Sequence, residues 1–152
     1  KKDGVPSTVV HIDVLNFDGY ADAVGIVHSE LVVRGIGTLL LDVARRAAGD
    51  GGFVGHIGGS DFVVVIPGTA AAAFCDAALA DFESKREALL PDSSNHALHL
   101  VLASAVTSAL SAGSPTDAAD ELGRRLGKAM KAAKAAAKSN HVAWLPPATP
   151  AR

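Results

Sequence analysis

A single cysteine, Cys75, leaves the chain unable to form an internal disulfide and gives a zinc knuckle no second thiolate, which suits a reducing, cytoplasmic setting. The histidines 11, 28, 56, 96, 99 and 141 contain no His-x-x-x-His pair of the kind that places two zinc ligands on one helix face, so they read as packed or surface residues. Charge of one sign is also lacking. Lys plus Arg number 14 against 16 Asp plus Glu, and a net charge of −2 provides no global attraction to nucleic acid or an anionic membrane. No apolar run approaches the roughly 20 residues that span a bilayer, and no charged-then-apolar leader opens the chain. The first residue is Lys1 rather than methionine, which suggests a domain of a longer protein joined to others in the same chain.

What is present is enough for one core. At 152 residues, 49% hydrophobic and 20% charged, the chain has the size and apolar content of a single globular domain. The expected layout is a linker over 1–6, a domain over 7–145 and a proline-rich, disordered tail over 146–152.

Residues 7–14 are almost continuously apolar and β-branched, the pattern of a strand buried on both faces, with Asp13 near its end. Residues 16–27, broken by Gly19 and Gly25, read as a short helix or helical turn. Val32, Ile36, Leu39, Val43 and Ala47 recur at three and four and predict a long helix over 29–48. Two apolar runs, 53–57 and 62–66, flank Gly58-Gly59-Ser60-Asp61, the signature of a hairpin. An alanine-rich helix over 69–90 ends at Pro91, a polar turn covers 92–95, and a fourth strand lies within 96–107. Ser114-Pro115-Thr116-Asp117 opens a last helix with a hydroxyl cap, a first-turn proline and a carboxylate at the positive end of the dipole; it runs to about Lys138, before a short final strand over 141–145. This order predicts an α/β sandwich with a mixed five-stranded sheet rather than a doubly wound parallel one.

With Asp13, the helix after it and the glycine hairpin placed together, the chain resembles a GGDEF domain, the catalytic unit of diguanylate cyclases, from about Val9 to Val142. The resemblance implies a nucleotidyl-cyclase-like sandwich. In that family the first strand ends in Asp-x-Asp, followed by Asn/His-Phe-Lys, Asn-Asp and Gly-His-x-x-Gly-Asp. The matching run here is Asp13-Val14-Leu15-Asn16-Phe17-Asp18, then Ala21-Asp22, then Gly25-Ile26-Val27-His28-Ser29-Glu30.

The resemblance also implies two divalent ions, held by the first aspartate and by the acidic residue after the two glycines. Asp13 matches the first, whereas Ser60 and Leu15 stand where the other acidic residues would be. Hard cations want charged oxygens, so no cofactor is expected beyond a weak association of Mg²⁺ with Asp13 alongside a nucleotide. Strand alternation would point Asp61 to the opposite face, making it a poor substitute. Asp18 replaces the family's phosphate-contacting lysine. The guanine-reading Asn and Asp fall on Ala21 and Glu30, of which only Glu30 keeps an acceptor. Ala133-Lys134 with Lys138 resembles the family's Ala-Lys-x-x-Gly-Arg and keeps both phosphate-facing charges. The family's Arg-x-x-Asp inhibitory site is replaced by Gly49-Asp50-Gly51-Gly52.

Each feature also has a plainer explanation. Asp13 suits a relic that caps a loop, Gly58 and Gly59 suit the needs of a two-residue turn, and Cys75 suits a buried small hydrophobe. Arg124, Lys128, Lys131, Lys134 and Lys138 form a stripe on the last helix, opposite Leu122, Leu126, Ala129, Ala133 and Ala137, as a solvated face would. The expectation is a GGDEF-like domain without catalysis, a regulatory or interaction module in a multidomain cytoplasmic signalling protein and a candidate homodimer. A second reading keeps a vestigial guanine-nucleotide pocket of Glu30, Lys134, Lys138, Gly58 and Gly59 that binds GTP without turnover. A third is altered metal chemistry at Asp13 and Asp61.

Overall fold

A computed structural model describes residues 6–146 except 94, 95, 109, 111 and 112. The linker and tail therefore fall outside the described residues apart from Pro6 and Pro146, as does part of the turn at 92–95.

Strand β1 (Ser7–Leu15) lies at the centre of a five-stranded sheet of order β2-β3-β1-β4-β5. It pairs antiparallel with β3 (Asp61–Pro67) on one side and β4 (His99–Val106) on the other. Helices cover both faces of the sheet, which explains the nearly continuous apolar run of β1. Strand β2 (Phe53–Gly58) is antiparallel to β3 and forms one edge; β5 (Asn140–Ala143) is parallel to β4 and forms the other.

The two faces of the sheet carry unequal layers. Val10 and Ile12 of β1, Phe62, Val64 and Ile66 of β3, and Leu100 and Leu102 of β4 face helices α1 (Phe17–Val24), α2 (Ile26–Ala48) and α3 (Gly68–Ser84), forming the main core with Tyr20, Ile36, Leu40, Phe74 and Phe82. The Tyr20 hydroxyl, fully buried, donates to the Pro91 carbonyl at 2.8 Å, and burial raises its pKa. On the opposite face α5 (Pro115–Ala135) sets Ala129, Met130 and Ala133 against Val101 and Ala103 of β4.

Of the element boundaries that differ from the sequence reading, three have a clear local reason. Helix α2 starts at Ile26, because the Ser29 amide already donates to Gly25 at 3.0 Å. Ile26 and Val27 are apolar but exposed, so periodicity hid the first turn. The helix expected over 69–90 is two: α3 stops at Ser84, Lys85 leaves helical geometry, and the short α4 (Arg86–Leu89) lets Leu90 become buried. Helix α5 ends at Ala135, and Ala137 takes a left-handed conformation at φ 51°. Its start is as expected: Ser114 and Asp117 form a reciprocal capping box with Pro115 in the first turn.

Candidate functional site

The carboxyl-terminal end of β1, the hairpin tip and the last turns of α5 meet around Asp13. Its Oδ1 accepts from the Val14 amide at 2.8 Å and from the Ser60 hydroxyl at 2.6 Å. Its Oδ2 lies 3.0 Å from the Lys134 ammonium. This ion pair crosses from sheet to helix because Asp13 and Val101 are register partners on the face that α5 covers, and Ala133, buried against that face, holds the helix there. The Asp13 side chain is 13% exposed, so its partners are only partly screened by water.

Ser60 reaches Asp13 because it belongs to the turn, not to the strand. Gly58 pairs with Asp61 to close the hairpin, leaving Gly59 and Ser60 as the connecting residues, with Gly59 at φ 51°. Only the glycine's freedom at positive φ makes that turn comfortable. The expectation that Asp61 points away from Asp13 is therefore wrong, since strand alternation begins after Ser60. Asp61 lies on the same side as Asp13 and lines the same cavity, but its carboxylate is engaged by His11 Nε2 at 2.8 Å.

Two adjoining cavities open here, sharing Phe17, Asp18 and Gly59. The polar one, about 350 Å³, holds Asp13, Ser60, Asp61 and Lys134. The other, about 470 Å³, lies between α1, α2 and the hairpin and is lined by Ala21, Glu30, Val33, Arg34 and His56.

The model of the GGDEF diguanylate cyclase domain family matches residues 1–140. The chain belongs to the GGDEF family. No curated protein matches it by sequence. Among solved structures, an EAL/GGDEF domain protein from M. capsulatus superposes with a TM-score of 0.73 at 22% identity, covering 96% of this chain and 89% of that one. The GGDEF domain of TpbB (also YfiN) from Pseudomonas aeruginosa gives 0.71 at 21% identity, covering 93% and 78%. That of DgcB from Caulobacter crescentus, in complex with c-di-GMP, gives 0.66 at 20% identity, covering 92% and 78%. The mixed five-stranded sheet flanked by helices is the fold of this family.

In this GGDEF domain the residues singled out from sequence do not all converge. Glu30 lines the larger cavity and Lys134 the smaller, with Asp18 between them. Lys138 lies past the end of α5 and lines neither cavity; its carbonyl accepts from Asn140 Nδ2 at 2.7 Å. Lys134 is not a member of a merely solvated stripe, because it pairs with β1. Leu15 packs against the small core, as do Val142 and Trp144, and also lines the smaller cavity. Residues 49–51 form a tight 3₁₀ turn.

Arg34 is not singled out by the sequence pattern, and His56, which reads there as a packed or surface residue, lines the cavity with it. An arginine one helical turn beyond Glu30 is visible in sequence, but only the fold brings His56 across to face it. Arg125 is likewise not singled out by sequence: it is 7% exposed, stacks over Trp144 at 4.3 Å, and donates to the Val106 carbonyl at 3.1 Å and to Glu121 at 2.6 Å. Its neighbour Arg124, exposed as expected, disguised it within the basic stripe.

The donor set does not fit the two divalent ions that the family resemblance implies. Among the described residues no group of three or more His, Cys, Asp or Glu could hold a metal. Asp13 spends its oxygens on an amide, a hydroxyl and an ammonium, and Asp61 is paired with His11.

Proposed function

We propose that this GGDEF domain does not make cyclic di-GMP and works as a regulatory or interaction module within a multidomain cytoplasmic protein of cyclic di-GMP signalling. The observation that carries this reading is the engagement of Asp13, the one acidic metal ligand kept from the family pattern, by Lys134 and Ser60. Two-metal phosphoryl chemistry needs converging anionic oxygens to bind the ions, which in turn offset the charge of a triphosphate. Here Asp18 adds a negative charge beside the cleft instead. The other domains of the chain are the natural partners of such a module, with a second copy of the domain as a further one.

Incubating the purified domain with GTP and Mg²⁺ or Mn²⁺, and following product by chromatography, tests the proposal. No cyclic di-GMP is expected at any enzyme concentration. Accumulation that scales with protein and disappears in Asp13→Ala overturns it.

One observation favours a second reading, a guanine-nucleotide receptor without turnover. Glu30 lines a cavity of about 470 Å³ with Arg34 and His56, large enough for a base and its sugar. Against it, Lys134 is already paired and Lys138 lines neither cavity. Calorimetry with GTP, GDP and cyclic di-GMP separates the readings: heat that Glu30→Ala abolishes supports the receptor, and no heat leaves the interaction module.

A further inference from the structure

We infer that the Lys134 ammonium is the resident cation of this cleft, a built-in single charge standing where the fold would otherwise hold a divalent ion. The inference rests on the non-cyclase reading and deepens it, because it names what prevents metal from binding and what would have to change to admit it.

The first support is the crowding of Asp13 by donors. Asp13 accepts from the Val14 amide at 2.8 Å, the Ser60 hydroxyl at 2.6 Å and the Lys134 ammonium at 3.0 Å. Those three donors take three of the carboxylate's about four lone-pair sites, and the one left, on Oδ2, lies beside the Lys134 ammonium, so an incoming ion meets a positive charge there. Ser60 spends its proton on Asp13. A cation approaching Oδ1 therefore meets a hydroxyl hydrogen, not a free oxygen lone pair.

The second support is charge. Asp13 and Lys134 cancel, and of the other two carboxylates that line this cavity Asp61 is bonded to His11 at 2.8 Å, which leaves Asp18 alone to attract a cation. An ammonium within contact distance also repels a divalent ion directly.

The third support is that Lys134 is held in place. Ala133 beside it is fully buried on β4, and its carbonyl accepts from Asn140 Nδ2 at 2.9 Å, which ties the end of α5 to β5. The lysine is thus presented to Asp13 by a packed helix end rather than by a free surface turn.

Adding a carboxylate at the hairpin should therefore fail to create a metal site while Lys134 remains. Mn²⁺ alone is the probe, titrated by electron paramagnetic resonance into the wild-type domain and the variants S60E, K134M and S60E/K134M. The double variant is expected to bind Mn²⁺ at least about tenfold more tightly than either single variant, with no saturable binding by wild type in the millimolar range. S60E binding as tightly as the double variant overturns the inference. So does saturable wild-type binding that Asp13→Ala removes.

A measurement on the unaltered protein guards against variants that fail to fold. In ¹⁵N spectra of wild type, the Lys134 ammonium signal should persist and the Val14 and Ser60 amides stay sharp as Mn²⁺ is added. Selective loss of those signals overturns the inference even if no variant can be made. Absence of cyclic di-GMP combined with tight Mn²⁺ binding by wild type would defeat this inference while leaving the non-cyclase reading standing.

Discussion

Cys75 illustrates how completely burial can silence a reactive group. The thiol is fully buried on α3 within the main core, and desolvation, reinforced by the neighbouring Asp76 charge, pushes its pKa up to about 12. The thiolate is the attacking species, so the folded domain should be inert to disulfide reagents at neutral pH. Labelling with an aromatic disulfide is expected to follow global unfolding, with a rate that rises with denaturant as the unfolded fraction does. Immediate labelling of the native protein would mean that the α3 face is open. This position was legible from sequence, because a lone cysteine beside Phe74 in an alanine-rich helix has an obvious place in a core. Lys134 was not: its lysine stripe fits a solvated helix face, and only the pairing of β1 with β4 under α5 brings it to Asp13. Ser60 sits between the two cases. Its chemistry could be read from the missing carboxylate, but its hydrogen bond depends on the turn beginning one residue later than expected.

At the scale of elements, the strong signals were the ones with redundant causes. The capping box of α5 combines a hydroxyl, a proline and a carboxylate, and the hairpin combines two apolar runs with two glycines, so both were legible. The break at Lys85 has no proline or glycine to announce it and follows from where Leu90 must pack. The short strand β5 is the element whose stability should depend most visibly on pH. His141 on β5 lies 2.6 Å from the Ser104 hydroxyl of β4. Burial lowers its pKa below the usual histidine value of 6.5, with the charge of Asp76 opposing the shift in part. Between that lowered value and 6.5 the unfolded chain takes up a proton that the folded one refuses. The contribution is thus fully present above the unfolded value and is lost as pH falls through the folded one. Urea midpoints measured from about pH 8 to about pH 5 should fall, and His141→Gln should flatten part of that slope. Identical slopes in the two proteins would place the pH dependence elsewhere.

For the whole molecule, the unequal thickness of the two layers matters more than any single contact. The main core joins three helices to the sheet through large side chains such as Tyr20, Phe74, Phe82, Leu40 and Ile36. The opposite core has Val101, Ala103, Ala129, Met130 and Ala133 as its buried members, mostly small residues. At about 25 cal/mol per Å² of apolar surface, a layer built on alanines contributes much less than one built on aromatics and leucines. Arg125 strengthens that thin layer by stacking on Trp144 and bonding to the end of β4, but it does so from the middle of α5, and the last turns rest on Ala129, Met130 and Ala133. Helix α5 and strand β5 should therefore open as a unit before the rest of the domain, at a free energy lower than that of global unfolding by on the order of a few kcal/mol. Native-state hydrogen exchange tests this directly: amides of α5 and β5 are expected to share one lower protection level, and those of β1, β3 and α2 a higher one. Such an opening withdraws Lys134 from Asp13, so the ion pair and the helix should report the same event. Equal protection across both layers would show that the thin core is as cooperative as the thick one, and that Lys134 leaves Asp13 only when the whole domain unfolds.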